Sequence, residues 1–537
     1  MKSEDLYNAI TDVDDSLIEE AGDFTFTKKK NKNIAAMVSA AAAVFIAVSV
    51  MFAGGLGMFD LFSGKSTSEN AQNSAVEDSA SDTHINQGAS LSEEDTNKEN
   101  ITEENDNTAS GAENLKTDTE GNVISLCSYP KLADFPGDLP EGDSGFHDLY
   151  TEWYEDVRRL SAIKADNTGA VEFSEKIMKA LLSDTGHENK LISPFNIYMA
   201  LSVLAETADN NTRKQLLDAL GANSIEELRE TAGKLWQKNY RNDGYMKSIC
   251  ANSLWMNDSV RYKKSAADII SENYFASVFS GKMGSVPYNN MINKWISDQT
   301  EGMLSSDIKT FDDTPLVLVS TILYKTRWRD EFDPQKTEEG VFHTPEGEKT
   351  ASFMKRTSQM YYYWGENFSA IRIDPDIGGD MWFILPDEGV RAEDMFTDSE
   401  VLKLTCSGAY SMNSQYKNSK FIRVNMSIPK FDISQNTDDI KDALSEIGIT
   451  EIYDSAKADF SQLFTDAAGI FVSKVSHNVR LKADEEGISA AAYTALMYAG
   501  SARPPEEEVD FVLDRPFAFI LNLDGSTPLF AGVVNTP

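Results

Sequence analysis

Residues able to carry covalent or acid–base chemistry are scattered through this chain. Gly142-Asp143-Ser144-Gly145 sets a serine among small residues, as a nucleophile would require. Such a hydroxyl is activated only beside a histidine base that a buried carboxylate orients. The only histidine upstream is His84, inside an acidic Ser/Asn-rich stretch, so the run reads as a chance match in a Gly/Pro linker. The five histidines (His84, His147, His187, His343, His477) form no i, i+4 metal pair, and no G-x-S-x-G, H-E-x-x-H or Walker run occurs. Cys127, Cys250 and Cys406 are far apart and without C-x-x-C, which argues against a structural zinc and a disulfide framework. Asp374, Asp376 and Asp380 cluster, but Pro375 and Gly378-Gly379 mark a solvated turn. The chain does not read as an enzyme, and no metal or cofactor is expected.

A different chemistry is carried by residues 484–508, DEEGISAAAYTALMYAGSARPPEEE. An acidic turn ends at Gly487, small residues run from Ser489 to Ala492, and Arg503-Pro504-Pro505 closes the stretch. Alanines favour a helix followed by a polar loop. The same residues suit a loop that can become a strand. Ile488, Ala490, Ala492, Thr494, Leu496 and Tyr498 would then share one face, and small side chains would let the strand slip between two others. Composition leaves both readings open.

Around this stretch the 537 residues divide into unlike parts, with a net charge of −37. That charge, with no basic stripe beyond the N-terminus, excludes a nucleic-acid binder. Residues 1–33 form a short tail ending in Lys28, Lys29, Lys30 and Lys32, and residues 34–59 carry no charge. Twenty-odd apolar residues as a helix cross a bilayer core of about 30 Å, and the preceding lysines place the N-terminus in the cytoplasm. The rest is then extracellular, a single-pass arrangement; the alternative is a cleaved signal and a secreted protein. Residues 60–160, mostly Ser, Asn, Thr, Asp and Glu, predict a disordered acidic stalk. The folded domain is expected over 161–537. Helical spacing in 173–182 and 197–206 alternates with strand runs at 316–325 and 381–386, and two closing strands flank Asp524-Gly525. This is α+β, with large mixed sheets surrounded by helices in one domain.

Several motifs in order resemble the serpin family, in its membrane-anchored, bacterial-type form. They are Asn189 to Gly221 with Ser193-Pro194; Ala251-Asn252-Ser253-Leu254-Trp255; Ile292-Asn293-Lys294-Trp295-Ile296; and Tyr324-Lys325 with Trp328. Phe332-Asp333-Pro334, Phe342-His343, Leu385-Pro386, Ile428-Pro429-Lys430-Phe431 and Lys457-Ala458-Asp459-Phe460-Ser461 follow. Val475-Ser476-His477, Asp484-Glu485-Glu486-Gly487, Arg515-Pro516-Phe517 and Gly532-Val533-Val534-Asn535 complete the series. The resemblance implies a serpin fold with an exposed reactive-centre loop that baits a serine (or cysteine) protease. Once cut, the loop inserts into the main sheet and traps the covalent acyl-enzyme. The hinge would be Glu485, Glu486, Gly487, Ile488, Ser489, Ala490, Ala491 and Ala492, and the sheet would open around Ser193, Asn196, Ser320, Trp328 and His477. Counting from Glu485 and from Pro504-Pro505 puts the reactive bond at Ser501–Ala502, small residues suited to elastase-like enzymes. The protein is expected to be a monomeric inhibitor; the alternative is a non-inhibitory serpin-fold binding or structural protein. Three departures stand out: Ile488 where inhibitors carry Thr or Ser, Thr326 in place of a glycine, and Asn196 with Ser320 exchanged. The exchange would preserve a hydrogen bond between those two positions.

Overall fold

The run Leu316–Arg327 (β6) is apolar on both faces because it lies in the middle of a sheet covered on both sides. The computed structural model describes residues 121–137, 144–407, 416–489 and 507–537. Both sheets lie within one compact unit that ends at Pro537. One sheet runs β1 (Gly121–Ser125), β5 (Ala276–Gly281), β4 (Lys247–Asn257), β6, β14 (Gly487–Ile488), β13 (Val472–Ala483), β12 (Phe431–Thr437). The other runs β15 (Glu508–Val512), β11 (Ser419–Pro429), β8 (Gly347–Trp364), β9 (Phe368–Ile373), β10 (Asp380–Pro386), β16 (Phe517–Asn522), β17 (Pro528–Val534), β2 (Lys190–Ile192).

The helix α3 (Pro194–Thr207) is entirely buried beneath the first sheet. Its start is written in the sequence: Ser193 caps it, accepting from the Asn196 backbone N–H at 3.3 Å, and Pro194 occupies the first turn, where no amide is needed. The opposite face of the sheet carries α7 (Val286–Gln299), whose Ile292, Trp295 and Ile296 pack on Val317, Val319 and Trp255. Alternation along β6 therefore sends Leu318, Ile322 and Tyr324 to the main core and Val317 and Val319 towards α7. The expected helices at 173–182 and 197–206 and the strands at 316–325 and 381–386 all form. So does the closing pair of strands, with Gly525 at φ 84° in the turn between them.

The boundary at 161 is corrected. The folded part already includes Gly121–Ser125, because Val123 and its neighbours pair antiparallel with β5 at the sheet edge. Tyr129 stacks on Trp236 at 5.4 Å, and Phe135 packs against Trp153 and Tyr245 at 4.9 and 4.6 Å. The helix α1 (Ser144–Ser161) follows, with Trp153 and Leu160 buried. These aromatics set the segment apart from the polar stretch before it, and their burial offsets its ordering entropy. Residues 1–33, the apolar stretch 34–59, the stalk to 120 and Gly142-Asp143 lie outside the described residues. Among the described residues no helix is long and apolar enough to cross a membrane.

Candidate functional site

The strands β6 and β13 are parallel neighbours, but only from Leu316↔Val472 to Thr321↔Asn478. Beyond that they diverge around β14. Ile488 lies opposite Thr326 on one side and Ala483 on the other, antiparallel to both, and Gly487 lies opposite Arg327. The Ser489 amide continues the pairing by donating to the Lys482 carbonyl at 2.7 Å. Gly487 and Ile488 are thus part of the sheet, and Ile488 is fully buried in the main core. Gly487 is dictated by space: a Cβ there would meet the Thr326 carbonyl oxygen at 2.1 Å and the Arg327 Cα at 2.7 Å, both backbone. Ser489 holds a left-handed φ of 52°.

The acidic turn before Gly487 is a fixed post. Trp328 donates its indole N–H to the Asp484 carbonyl at 2.8 Å and its backbone N–H to that of Glu486 at 3.0 Å. The Phe332 amide donates to the Glu485 carbonyl at 2.9 Å. The Glu485 carboxylate takes the Lys430 ammonium at 2.9 Å and the Thr337 hydroxyl at 2.7 Å. Burial raises the Glu485 pKa, but these two donors and a backbone bond outweigh it and hold the group below its ordinary value. Lys482 pairs with Asp484 at 2.8 Å, and Asp484 Oδ1 accepts from the Glu486 and Gly487 amides.

The five expected sheet-opening residues fall in two places. Trp328 belongs to the hinge post. Ser193, Asn196, Ser320 and His477 meet some six residues down β6, roughly 20 Å away at strand rise, where β6 and β13 still pair. Ser320 and His477 are direct neighbours across the ladder. The Ser193 amide donates to His477 Nε2 at 3.0 Å, so the proton of the neutral ring sits on Nδ1, which faces the Ser320 hydroxyl at 3.4 Å. Complete burial drives the His477 pKa down to about 3 and keeps the ring neutral. The bond anticipated between Asn196 and Ser320 is not formed. Asn196 Oδ1 accepts instead from the Cys250 thiol at 2.6 Å, a donor whose pKa burial raises. Asn196 Nδ2 has no partner. Both side chains lie under the sheet, but Ser320 is turned to the strand beside it and Asn196 to β4.

Thr326, the other departure, donates its hydroxyl to the Ile377 carbonyl at 2.9 Å while its backbone flanks Ile488. Thr337, Lys430 and Lys482 hold the acidic turn and were passed over by sequence reasoning. Lys430 stood inside a quoted motif without a role, and Lys482 lies two residues before Asp484. Ala490, Ala491 and Ala492 and the bond Ser501–Ala502 lie outside the described residues. Among the described residues no cluster of His, Cys, Asp and Glu is placed to hold a metal ion. The buried histidine has no nucleophile in an activating arrangement beside it: Ser320 is itself buried within the sheet.

Residues 168–537 match the family model described as Serpin (serine protease inhibitor). The leukocyte elastase inhibitor of Homo sapiens is 28% identical over 379 residues, spanning 68% of this chain and 97% of that protein. The plasma serine protease inhibitor of Mus musculus is 27% identical over 391 residues, spanning 70% and 93%. Among solved structures, the thermophilic serpin Tengpin in its native state superposes with a TM-score of 0.61 at 26% identity, over 69% of this chain and 93% of that one. A sheet parted at one end, with a glycine hinge seated in the gap, fits these matches; the chain belongs to the serpin family.

Proposed function

We propose that the protein is a suicide-substrate inhibitor of serine proteases, elastase-like in preference, that traps its target by inserting the cut loop between β6 and β13. The observation that carries this reading is the register of β14. Ile488 lies opposite Thr326 and opposite Ala483. Continued residue by residue, that pairing places Ala490 between Tyr324 and Leu481, Ala492 between Ile322 and Val479, and Thr494 between Ser320 and His477. Ser320 and His477 already face one another before insertion. The incoming strand therefore separates β6 from β13 without sliding either along the other. Residues 487–498 match the twelve residues of β6 one for one.

The chemistry follows from that match. The protease serine attacks the Ser501 carbonyl, Ala502 leaves as the amine, and the acyl ester stays on Ser501. Strand growth then draws Ser501, fourteen residues beyond Gly487, roughly 45 Å from the hinge. Each new backbone hydrogen bond contributes about 1 kcal/mol net, on both edges of the new strand. The protein contributes bait and spring, and the protease supplies the catalysis.

Small residues at Ala499, Gly500, Ser501 and Ala502 suit a shallow primary pocket, and the leukocyte elastase inhibitor among the relatives supports that preference. The uncharged stretch 34–59 behind four lysines supports a membrane anchor with the inhibitor outside the cell, monomeric on its stalk. Incubation with pancreatic elastase and denaturing electrophoresis tests the reading. A complex that survives denaturation is expected; cleavage without complex, at every enzyme-to-protein ratio, would overturn it.

A further inference from the structure

Val286 and Phe311 are the most exposed large apolar side chains among the described residues, at 70% and 68%. They stand on two adjoining loops. A Cβ on Gly284 would meet the Asp312 amide nitrogen at 2.7 Å and the Phe311 carbonyl carbon at 3.1 Å, and the Gly284 amide donates to the Thr310 hydroxyl at 2.9 Å. The ladder fixes where these loops lie. Met256 is opposite Leu316, and Asn257 beside it is opposite Gly281, so both loops sit at the end of the sheet where β6 begins, away from the hinge. Asn257 Nδ2 secures the second loop by donating to the Asp312 and Thr314 carbonyls at 3.0 and 3.1 Å. Lys282, Asp312 and Asp313 stand exposed on the same loops, and the exposed Asp258 donates its amide to the Gly281 carbonyl at 2.9 Å. An apolar pair with a charged surround marks an interaction surface.

We propose that Val286 and Phe311 form an apolar seat for the trapped protease, and that this contact sets how long the complex lasts. The proposal rests on the inhibitory reading above and assigns the surface used by its last step. The register that sets Ile488 opposite Thr326 brings residue 498 opposite Leu316, where β6 begins, and Ser501 level with Asp313. Asp313 shares its loop with Phe311. The link from residue 498 to the acyl ester at Ser501 is only roughly 10 Å of extended chain. A protease with a radius of gyration of about 18 Å cannot stand clear of the sheet on so short a link. The new strand adjoins β6, and β5, which leads to Val286, lies beyond β4 on the far side, roughly 10 Å from β6. Both loops therefore fall beneath the enzyme. The partner that fits is a serine protease whose displaced active-site loops expose apolar side chains, which Val286 and Phe311 would remove from water. Three carboxylates against one ammonium around the seat favour an enzyme with a basic face.

The test uses the full chain with pancreatic elastase and the double variant Val286→Ser with Phe311→Ser. Both side chains are exposed, so folding is preserved, and far-UV circular dichroism checks it. The measurements are the ratio of complex to cleaved chain, the thermal stability gained when the loop is cut, and the rate at which purified complex releases active elastase. The first two are expected to match wild type, because the seat is met only after the strand has entered. Release is expected to be at least roughly ten-fold faster, the factor for losing contact over about half of two such side chains. Leu149→Ser serves as the control: it removes an exposed apolar residue on α1, whose Trp153 packs on Tyr245 at the hinge end, and should leave release unchanged. If the double variant holds elastase as long as wild type, or Leu149→Ser shortens the complex equally, the seat is wrong and the inhibitory reading stands. If wild type forms no complex, both fail.

Discussion

Replacing Ala492 with Arg probes the register at its most demanding position. Continued pairing sets residue 492 between Ile322 and Val479, which are 2% and 0% exposed and belong to the main core. The inward side chains next along each strand are Ser320, Tyr324, His477 and Leu481, and none is a carboxylate. An arginine carried there is a buried, unpaired charge, which costs about 3–5 kcal/mol. If the barrier to strand growth carries even 3 kcal/mol of that, insertion slows by roughly 150-fold. Growth would stall after Ala491, with Ser501 displaced by about 13 Å rather than 45 Å. The acyl-enzyme then hydrolyses before its active site is distorted. Ala492→Arg should leave the uncut protein folded, with its hinge pairs intact, yet convert it from inhibitor to substrate. Denaturing electrophoresis against elastase reads the ratio of complex to cleaved chain. Ser501→Arg, beyond the twelve inserted positions, serves as the control: it should redirect the target to trypsin-like enzymes and still trap. An Ala492→Arg protein that traps elastase as efficiently as wild type would refute the register, because no neighbour on that face could accommodate the charge.

Three other outcomes are expected from the same geometry. Gly487→Ala should destabilise the uncut form by roughly 2–3 kcal/mol, since expelling the hinge from the ladder exposes Ile488; an unaltered urea midpoint would contradict the 2.1 Å approach to the Thr326 carbonyl. Cutting the loop within 499–503 should raise the thermal unfolding temperature sharply, and superimposable melting curves before and after the cut would rule out insertion. His477 is held neutral with its pKa depressed from 6.5 to about 3. The unfolded chain therefore binds the extra proton first, and stability should fall as pH drops from about 6.5 towards 3, by up to several kcal/mol. His477→Gln should flatten that slope, and equal slopes in both proteins would show that the ring titrates normally.

Much of the architecture was legible because it rests on short-range rules. Ser193-Pro194 is a helix start wherever it sits, and the uninterrupted apolar run of β6 has few homes other than the middle of a covered sheet. The segment from Gly121 to Ser161 was not legible. Its strand is five residues with Val123 exposed at the sheet edge. Its aromatics find partners, Trp236 and Tyr245, about a hundred residues away. Its aromatics mark it off from the polar stretch before it, but only the fold supplies the partners that bury them. The hinge lay between these cases. Its small residues were plain, but its anchors, Thr337 and Lys430, are brought to Glu485 only by the fold. The Asn196 and Ser320 exchange misled for a related reason: pairing two complementary side chains on paper ignores that Cys250 and His477 stand nearer.

Ile488 shows how geometry reverses a reading made from residue type. As a branched side chain where small polar ones are usual, it looks like an obstacle to a loop that must enter a sheet quickly. That argument holds only if entry happens after cleavage. Here Ile488 is already seated, fully buried, with Thr326 and Ala483 on either side. Burying it stabilises the seated hinge by about 1.5–3 kcal/mol, and β-branching suits the extended backbone it occupies. Its presence also confines direct pairing of β6 with β13 to Leu316–Thr321 and Val472–Asn478. On the proposed inhibitory reading, the first and least favourable step of strand addition, closing the loop and parting the neighbours, would therefore precede any encounter with a protease. On that reading, what would remain after cleavage is growth one residue at a time through Ser489, Ala490, Ala491 and Ala492, where small side chains are wanted. The bulky residue would then be the wedge, and the speed of the proposed trap would depend on the small residues behind it.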